Sequence, residues 1–449
     1  MKKQRHQHSH QRISVDQAMQ MALQVHRGGQ PRQAVEHYRA ILQVAPEHPD
    51  ALHYLGIAQH QLGQRDDAIR LLQRALAIAP GYTDARNNLG NMQKESGRFA
   101  EAEQSYRSVI AERPDFAPAH GNLGVVLKEQ GDYQAAAQAY RHAVKLAPDF
   151  VEGWINLGHL LKKLDQQDDA LSAYRNAVML QPDNIEALRG VARSLAAFGR
   201  LAEALEVYRQ WEKLEPGNPV VQHHIAACSG QSAPQRASDA YVQQTFDRFA
   251  ETFDKVLAGL EYRAPALCGE LVARLLDPAQ LQSRSLRVLD AGCGTGLCGP
   301  ILRPLAQRLH GVDLSPAMLA KAQTRGDYDA LDAAELTAWL AGHPQAYDLI
   351  VSADTLCYFG VLDAAIGAAA ASLRSGGHLV FTVEQTLPEC LAQAPAFKLH
   401  GHGRYSHAES YVRQTLAAAG LEIREISTVA LRNENKKPVG GLLVGARRP

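Results

Sequence analysis

The chain has 449 residues, 46% of them apolar, and its 47 basic side chains balance 47 acidic ones to a formal net charge of zero. That length accommodates two or three folded domains, and the missing basic excess argues against a nucleic-acid substrate, since phosphate binding usually leaves a basic stripe or face. Six cysteines without a CxxC pair suit a reducing cytoplasm and speak against a structural metal site.

Residues 1–12, from Met1 to Arg12, are basic and histidine-rich with no apolar core, so they read as a disordered tail and as neither a signal peptide nor a membrane span. Regular punctuation follows. Pro46, Pro80, Pro114, Pro148, Pro182 and Pro216 recur every 34 residues. In phase with them run Ala34, Ala68, Ala102, Ala136, Ala170 and Ala204, the pairs Leu55-Gly56, Leu89-Gly90, Leu123-Gly124 and Leu157-Gly158, and Tyr38, Tyr106, Tyr140, Tyr174 and Tyr208. Small residues let paired helices approach, large ones fill the gap, and proline ends the second helix. The pattern resembles the tetratricopeptide repeat (TPR). It implies an all-α superhelix over 13–228, six repeats plus a capping helix from Pro219 to Cys228.

Such a solenoid usually holds another chain in its groove, so a protein or peptide partner is expected. Asn88, Asn122 and Asn156 occupy one equivalent position, and Lys94, Lys128 and Lys162 another. The asparagine row resembles the ladder of protein O-N-acetylglucosamine transferases, where amides hydrogen-bond an extended peptide backbone. Solvated charge explains the lysines equally well, and Asn-Leu-Gly also occurs in repeats without a ladder.

Residues 229–238, SGQSAPQRAS, are small and polar like a linker. Beyond them Tyr241, Phe246, Phe249 and Phe253 gather on one predicted helix. Phe246 to Asp254 is similar to the helix that covers cofactor and substrate in many small-molecule methyltransferases, which makes Phe253 a substrate-binding candidate. An amphipathic helix packed on a sheet edge is the alternative. Tyr262 to Leu276 supplies a further helix.

Leu286 to Ser315 carries the most chemistry. An apolar run stops at Asp290, passes Gly292, Gly294 and Gly296, enters helix-like sequence, and a second apolar run ends at Asp313. Glycines are required where a tight turn brings backbone to a ligand at a helix N-terminus. Gly294 to Gly299 also matches the dinucleotide pattern GxGxxG, with Asp313 about 20 residues on. The acid that closes the first strand favours another reading. Val288 to Gly296 resembles motif I of class I S-adenosylmethionine (SAM) methyltransferases, whose ligand has an ammonium group and no pyrophosphate.

That resemblance extends downstream. Asp313 and Leu314 match the ribose-binding strand end, Glu335, closing a third strand from Leu331, the acid near adenine, although Ala334-Glu335 departs from the usual Gly-Asp, and Asp354, counted with the cofactor-binding residues, the end of a fourth strand, Tyr347 to Asp354. Strand five runs from His378 to Val383, and Leu421 to Val429 with Val439 to Gly445 fits a terminal antiparallel hairpin. The resemblance implies an α/β Rossmann-like class I methyltransferase domain over 239–449, with a mostly parallel seven-stranded sheet and SAM as cofactor.

In-line methyl transfer gains ~7 to 11 kcal/mol from alignment alone, and a base helps only with a protonated acceptor. Tyr358, Glu384 and His407 are the catalytic candidates, with Asp354 a further candidate base at the mouth, and Arg404 and Tyr405, in the loop from His400 to His407, are substrate-binding candidates. A solvated polar loop is the competing reading. The Asn/Asp-Pro-Pro-Tyr motif of amide and base N-methyltransferases is absent. The chain is thus expected to be a cytoplasmic methyltransferase whose repeats recruit a partner. A small-metabolite enzyme that uses its repeats for assembly and a SAM-binding scaffold without turnover remain alternatives.

Overall fold

A computed structural model describes residues 13–230, 233–386, 396–434 and 437–449. The expected tail, residues 1–12, lies outside them. The chain divides into two compact units, Met1–Gly190 and Val191–Pro449.

The first unit is built from helix pairs: α1 (Val15–Arg27) with α2 (Pro31–Val44), α3 (Pro49–Gln61) with α4 (Arg65–Ile78), α5 (Thr83–Glu95) with α6 (Phe99–Glu112), α7 (Ala117–Gln130) with α8 (Tyr133–Leu146), and α9 (Val151–Lys163) with α10 (Gln167–Leu180). Each second helix stops two residues before its proline. The intervening residue, such as Ala45 (φ −129°, ψ 78°), is displaced from helical geometry, as the proline ring requires of its predecessor. The recurrent glycines receive the recurrent tyrosines. A Cβ on Gly124 would lie 2.8 Å from the Tyr140 ring, and one on Gly158 2.6 Å from Tyr174. In the second repeat Leu72 stands where the tyrosine would be, and it fills the space over Gly56.

The second unit starts inside α11 (Ile185–Ala197) and includes α12 (Leu201–Leu214) and α13 (Pro219–Cys228). The repeat pattern ends at residue 228, yet these helices pack on residues farther along the chain. Tyr208 stacks on His224, His223 stacks on Tyr241 at 3.9 Å, and His223 Nε2 lies 2.8 Å from the Gly403 carbonyl. The described part of the expected linker is likewise anchored: Gln235 accepts from the Gly360 and Val361 amides, and the Ala237 amide donates to the Tyr358 carbonyl.

Next come α14 (Asp239–Phe249), α15 (Phe253–Gly259) and α16 (Ala264–Leu275), then the sheet. Its strands are β1 (Leu286–Ala291), β2 (Ala306–Asp313), β3 (Ala330–Ala333), β4 (Tyr347–Ser352), β5 (Leu373–Gln385), β6 (Phe397–Leu399), β7 (Tyr405–His407), β8 (Glu422–Glu434) and β9 (Lys437–Arg447). The order β3-β2-β1-β4-β5 is parallel, and β9 runs antiparallel between β5 and β8, so the terminal hairpin forms as expected. Among the described residues the sheet has nine strands rather than seven, because the polar stretch around His400 to His407 forms the short hairpin β6–β7 on β5. Three-residue strands carry no periodic signal to find. Alternation along β1, β4 and β5 sends Leu289, Ile350 and Phe381 into one core, and Val288, Val351 and Val380 into the other. Both faces are thereby covered, and the loops at the strands' C-terminal ends form the edge at which open α/β sheets generally bind ligands.

Candidate cofactor and acceptor site

Three left-handed glycines shape the turn after β1: Gly292 (φ 79°), Gly294 (φ 53°) and Gly296 (φ 86°). A side chain on Gly292 would also strike Thr355, whose hydroxyl lies 3.2 Å from the Gly292 carbonyl. Asp313, at the end of β2, ties the turn down: one carboxylate oxygen accepts from the Gly294 amide at 2.9 Å and the other from the Ser315 amide at 2.8 Å. Asp313 and Leu314 therefore sit directly across from the glycine turn. Burial raises the Asp313 carboxyl's pKa, with backbone hydrogen bonds, including one from Leu314, opposing.

Asp290 is 1% exposed. Its Oδ2 accepts from the Tyr328 hydroxyl at 2.6 Å, and its Oδ1 has no partner among the described residues. Burial pushes its pKa up to about 7, against the pull of the Tyr328 hydrogen bond. A buried carboxylate oxygen without a donor, beside a glycine turn, is what an ammonium-bearing ligand would satisfy. The residues present thus fit SAM.

Helices α14 and α15 are fastened to the segment after β2 and to the glycine turn by acids that the sequence did not single out. Asp247 of α14 accepts from the Ser315 hydroxyl at 2.5 Å, and Asp254 of α15 accepts from the Thr295 hydroxyl at 2.6 Å and pairs with Arg325. Phe246 meets Tyr358 and Phe253 edge-on, with ring centroids 5.4 and 6.1 Å apart. Phe253 and Tyr358 are thus joined through Phe246. Glu335 lies just beyond β3 and caps the helix Leu336–Gly342, accepting from the Thr337 and Ala338 amides.

At the ends of β4, β5 and β8 a charged network forms. Arg432, 4% exposed, pairs with Asp354, Glu384 and Glu434, and Arg404 pairs with Glu384 and Glu434. Three carboxylates thus share two guanidinium groups. Burial would raise the Glu384 pKa, but Arg404 and Arg432 outweigh it and bring it to about 2. Asp354 moves the other way, raised by burial although Arg432 pulls it down. Its backbone is left-handed (φ 56°), unusual away from glycine, and the Asp354 amide donates to Thr382 Oγ1. Arg432 and Glu434 lie between the two β-rich runs of the expected hairpin, so only their placement opposite Asp354 and Glu384 identifies them.

Two residues expected at the mouth belong to the interior. His407 is 0% exposed, its Nε2 lies 3.1 Å from the Gly360 carbonyl, and burial lowers its pKa to about 4. Tyr405 is also 0% exposed and donates to the Pro234 carbonyl. Their strand β7 turns these side chains into the core, whereas Arg404, just before it, reaches the network. Burial raises the Tyr358 phenol well above its ordinary value.

In the repeat unit the two polar rows meet. The Lys94 ammonium donates to Asn122 Oδ1 at 2.9 Å, Asn88 Nδ2 lies 2.8 Å from His53 Nε2, and Lys128 pairs with Glu129. Asn156 is half-buried on α9, the helix that also carries Lys162. Among the described residues there is no cluster suited to a metal ion, and no helix is long and apolar enough to cross a membrane.

Residues 260–426 match the model of a methyltransferase domain, and TPR models match 27–87, 61–125, 117–150 and 155–219. Human methyltransferase-like protein 27 is 42% identical over 87 residues, 19% of this chain and 34% of that protein. The malonyl-[acyl-carrier protein] O-methyltransferase of Dechloromonas aromatica is 30% identical over 206 residues, covering 43% of this chain and 70% of the relative. The chain belongs to the methyltransferases, and it carries TPR repeats ahead of that domain. It spans about a third of the first of these relatives. A Pseudomonas aeruginosa pilF structure aligns with 46% of the chain and 95% of its own at 22% identity, with a TM-score of 0.41. As a TPR methyltransferase, the chain has a family that generally uses SAM, and repeats of a kind that generally bind proteins or peptides.

Proposed function

We propose that this TPR methyltransferase transfers the methyl group of SAM to an oxygen nucleophile on an acceptor that its repeats recruit. One observation carries the cofactor assignment: the unpartnered Asp290 Oδ1 beside the Gly292–Gly296 turn that Asp313 holds. Asp313 would take the ribose hydroxyls, Leu314 would flank the adenine, and Asp290 the ammonium group. SAM supplies the electrophilic methyl carbon. The chain's own work is to align the acceptor and exclude water, the larger part of the rate gain in such a displacement.

Oxygen as the acceptor atom rests on relatives named O-methyltransferases and on Asp354. A carboxylate whose pKa burial has raised can accept a hydroxyl proton as the C–O bond forms, while the electron pair of the methyl–sulfur bond leaves on sulfur. Glu384, held anionic between two arginines, is suited to orienting Arg404 toward the acceptor. Tyr358 and Phe253 would wall the acceptor side. Asn88, Asn122 and Asn156, with Lys94, Lys128 and Lys162, would contact a peptide partner. In that event the Lys94–Asn122 hydrogen bond must be exchanged for contacts to the incoming chain.

Calorimetry of the wild type and Asp313→Ala against SAM and NAD tests the cofactor. SAM binding that weakens on substitution, with no NAD binding, is expected; unchanged SAM affinity would refute the assignment. Labelled SAM offered with a lysate of the source cells, to the full chain and to the chain lacking residues 1–190, tests recruitment. Label that enters small molecules equally in both cases would sink it.

A further inference from the structure

We infer that Tyr328 is a positioning residue for the cofactor carboxylate: its hydroxyl engages one oxygen of Asp290 and leaves the other as the oxygen presented to the ligand's ammonium group. The inference rests on the proposal that SAM is the cofactor.

The geometry is specific. Tyr328 lies outside every element of the glycine motif, in the segment before β3, and its hydroxyl donates to Asp290 Oδ2 at 2.6 Å while Oδ1 stays buried without a donor among the described residues. A carboxylate with both oxygens paired inside the protein would have little to offer a cation, and one with neither paired would tend to protonate. One donor on one oxygen lies between these limits.

The glycines explain how an aromatic ring reaches that point. A Cβ on Gly296 would lie 3.0 Å from the Tyr328 ring, and Cβ atoms on Gly299 and Gly311 would each lie 3.0 Å from it as well. Gly299 is the third glycine of the apparent dinucleotide pattern. Its place is taken up by Asp327 and Tyr328, so the ring accounts for a glycine that a pyrophosphate would otherwise have explained. The Cys293 thiol also reaches the Gly311 position, at 3.0 Å, which closes the ring's surroundings on that side.

The groups around Asp290 are few. Asp313 on β2 raises its pKa electrostatically, and Tyr328 is its hydrogen-bond donor. Cys293 and Cys298 in the glycine turn, and Cys268 on α16, face it as thiols whose pKa burial raises. None is a cation. Among these groups of the described residues, the Tyr328 hydroxyl favours Asp290 in its charged form.

Tyr328→Phe keeps the ring and removes only that donor. Calorimetric titration of the full chain with SAM across the neutral pH range should show wild-type affinity falling as the pH drops and Asp290 takes up a proton. In Tyr328→Phe the same fall should be displaced to higher pH by roughly one unit, so that affinity drops about fivefold at neutral pH and about tenfold at acidic pH, as loss of a hydrogen bond to a charged group titrating near 7 predicts. Asp290→Asn should abolish this component and leave only the ligand's own amino titration, which all three proteins share.

Binding weakened equally at every pH, or an Asp290→Asn profile like the wild type, would overturn the inference. A second readout needs no ligand: the carboxyl carbon shift of Asp290, followed by pH titration in the wild type and Tyr328→Phe. An upward shift of its titration in the variant is expected, and an unmoved titration overturns the inference even if SAM binds. Failure of the wild type to bind SAM, with the carboxyl titration still displaced, would instead count against the cofactor reading.

Discussion

Replacing Arg432 by methionine should destabilise the catalytic unit more than almost any other single change, by an amount that depends on pH. The arginine is buried against Asp354, Glu384 and Glu434, and its removal leaves three carboxylates with Arg404. Breaking a buried ion pair from one side costs about 3 to 5 kcal/mol, because a charge is left uncompensated. Glu384 gives a second route to the magnitude. Its pKa is lowered from 4.5 to about 2, which corresponds to roughly 3 kcal/mol shared between its two arginines.

The sign follows from the direction of each shift. A depressed carboxylate stabilises the fold at pH values above its ordinary pKa, and that contribution is lost as the pH falls toward about 2. Asp354, whose pKa is raised, costs stability when ionised at neutral pH, and the cost disappears once it is protonated. Arg432→Met should relax the first shift and enlarge the second, so its penalty should be largest at neutral pH and shrink on acidification. Native-state hydrogen exchange of the β5 amides from Leu379 to Val383 reads this unit alone, which global unfolding of a two-unit chain does not. Adding Glu384→Gln should recover part of the loss. A penalty below about 1 kcal/mol at neutral pH, or one equal at neutral and acidic pH, would refute the network reasoning.

Two further outcomes are expected. Gly124→Ala should destabilise the repeat unit by about 1 to 3 kcal/mol, since its methyl group would press on the buried Tyr140 ring; an unchanged melting profile of residues 13–190 would argue against tight packing there. Removal of residues 1–190 should leave a folded catalytic unit, whereas removal of 1–228 strips His223 and His224 from Tyr241 and Gly403. The shorter fragment should melt several degrees lower, and equal melting temperatures would mean that α13 contributes nothing to this unit.

Local rules made much of the architecture legible. The six alanines at 34-residue spacing are all 0% exposed, because a helix pair closes only over a small side chain. The glycine turn was readable because positive φ is cheap for glycine alone. The parallel strands announced themselves as apolar runs since both faces of the sheet are covered. Elements without such a signature did not: β6 and β7 are too short to show a period, and Glu335 looks like a strand residue until its carboxylate is seen capping a helix.

By itself the sequence determined the two kinds of domain, the glycine turn with its two aspartates and the sheet that carries them, since each depends on periodicity or on a backbone preference within a few residues. Tertiary structure decided which side chains meet. Asp354 and Arg432 are 78 residues apart, Asp290 and Tyr328 are 38, and His223 and Gly403 are 180. Such pairings depend on which strand ends come together and on which face of β7 turns inward. No local preference encodes that. Arg404 accordingly joins the charged network while Tyr405 and His407, its near neighbours, pack into the core.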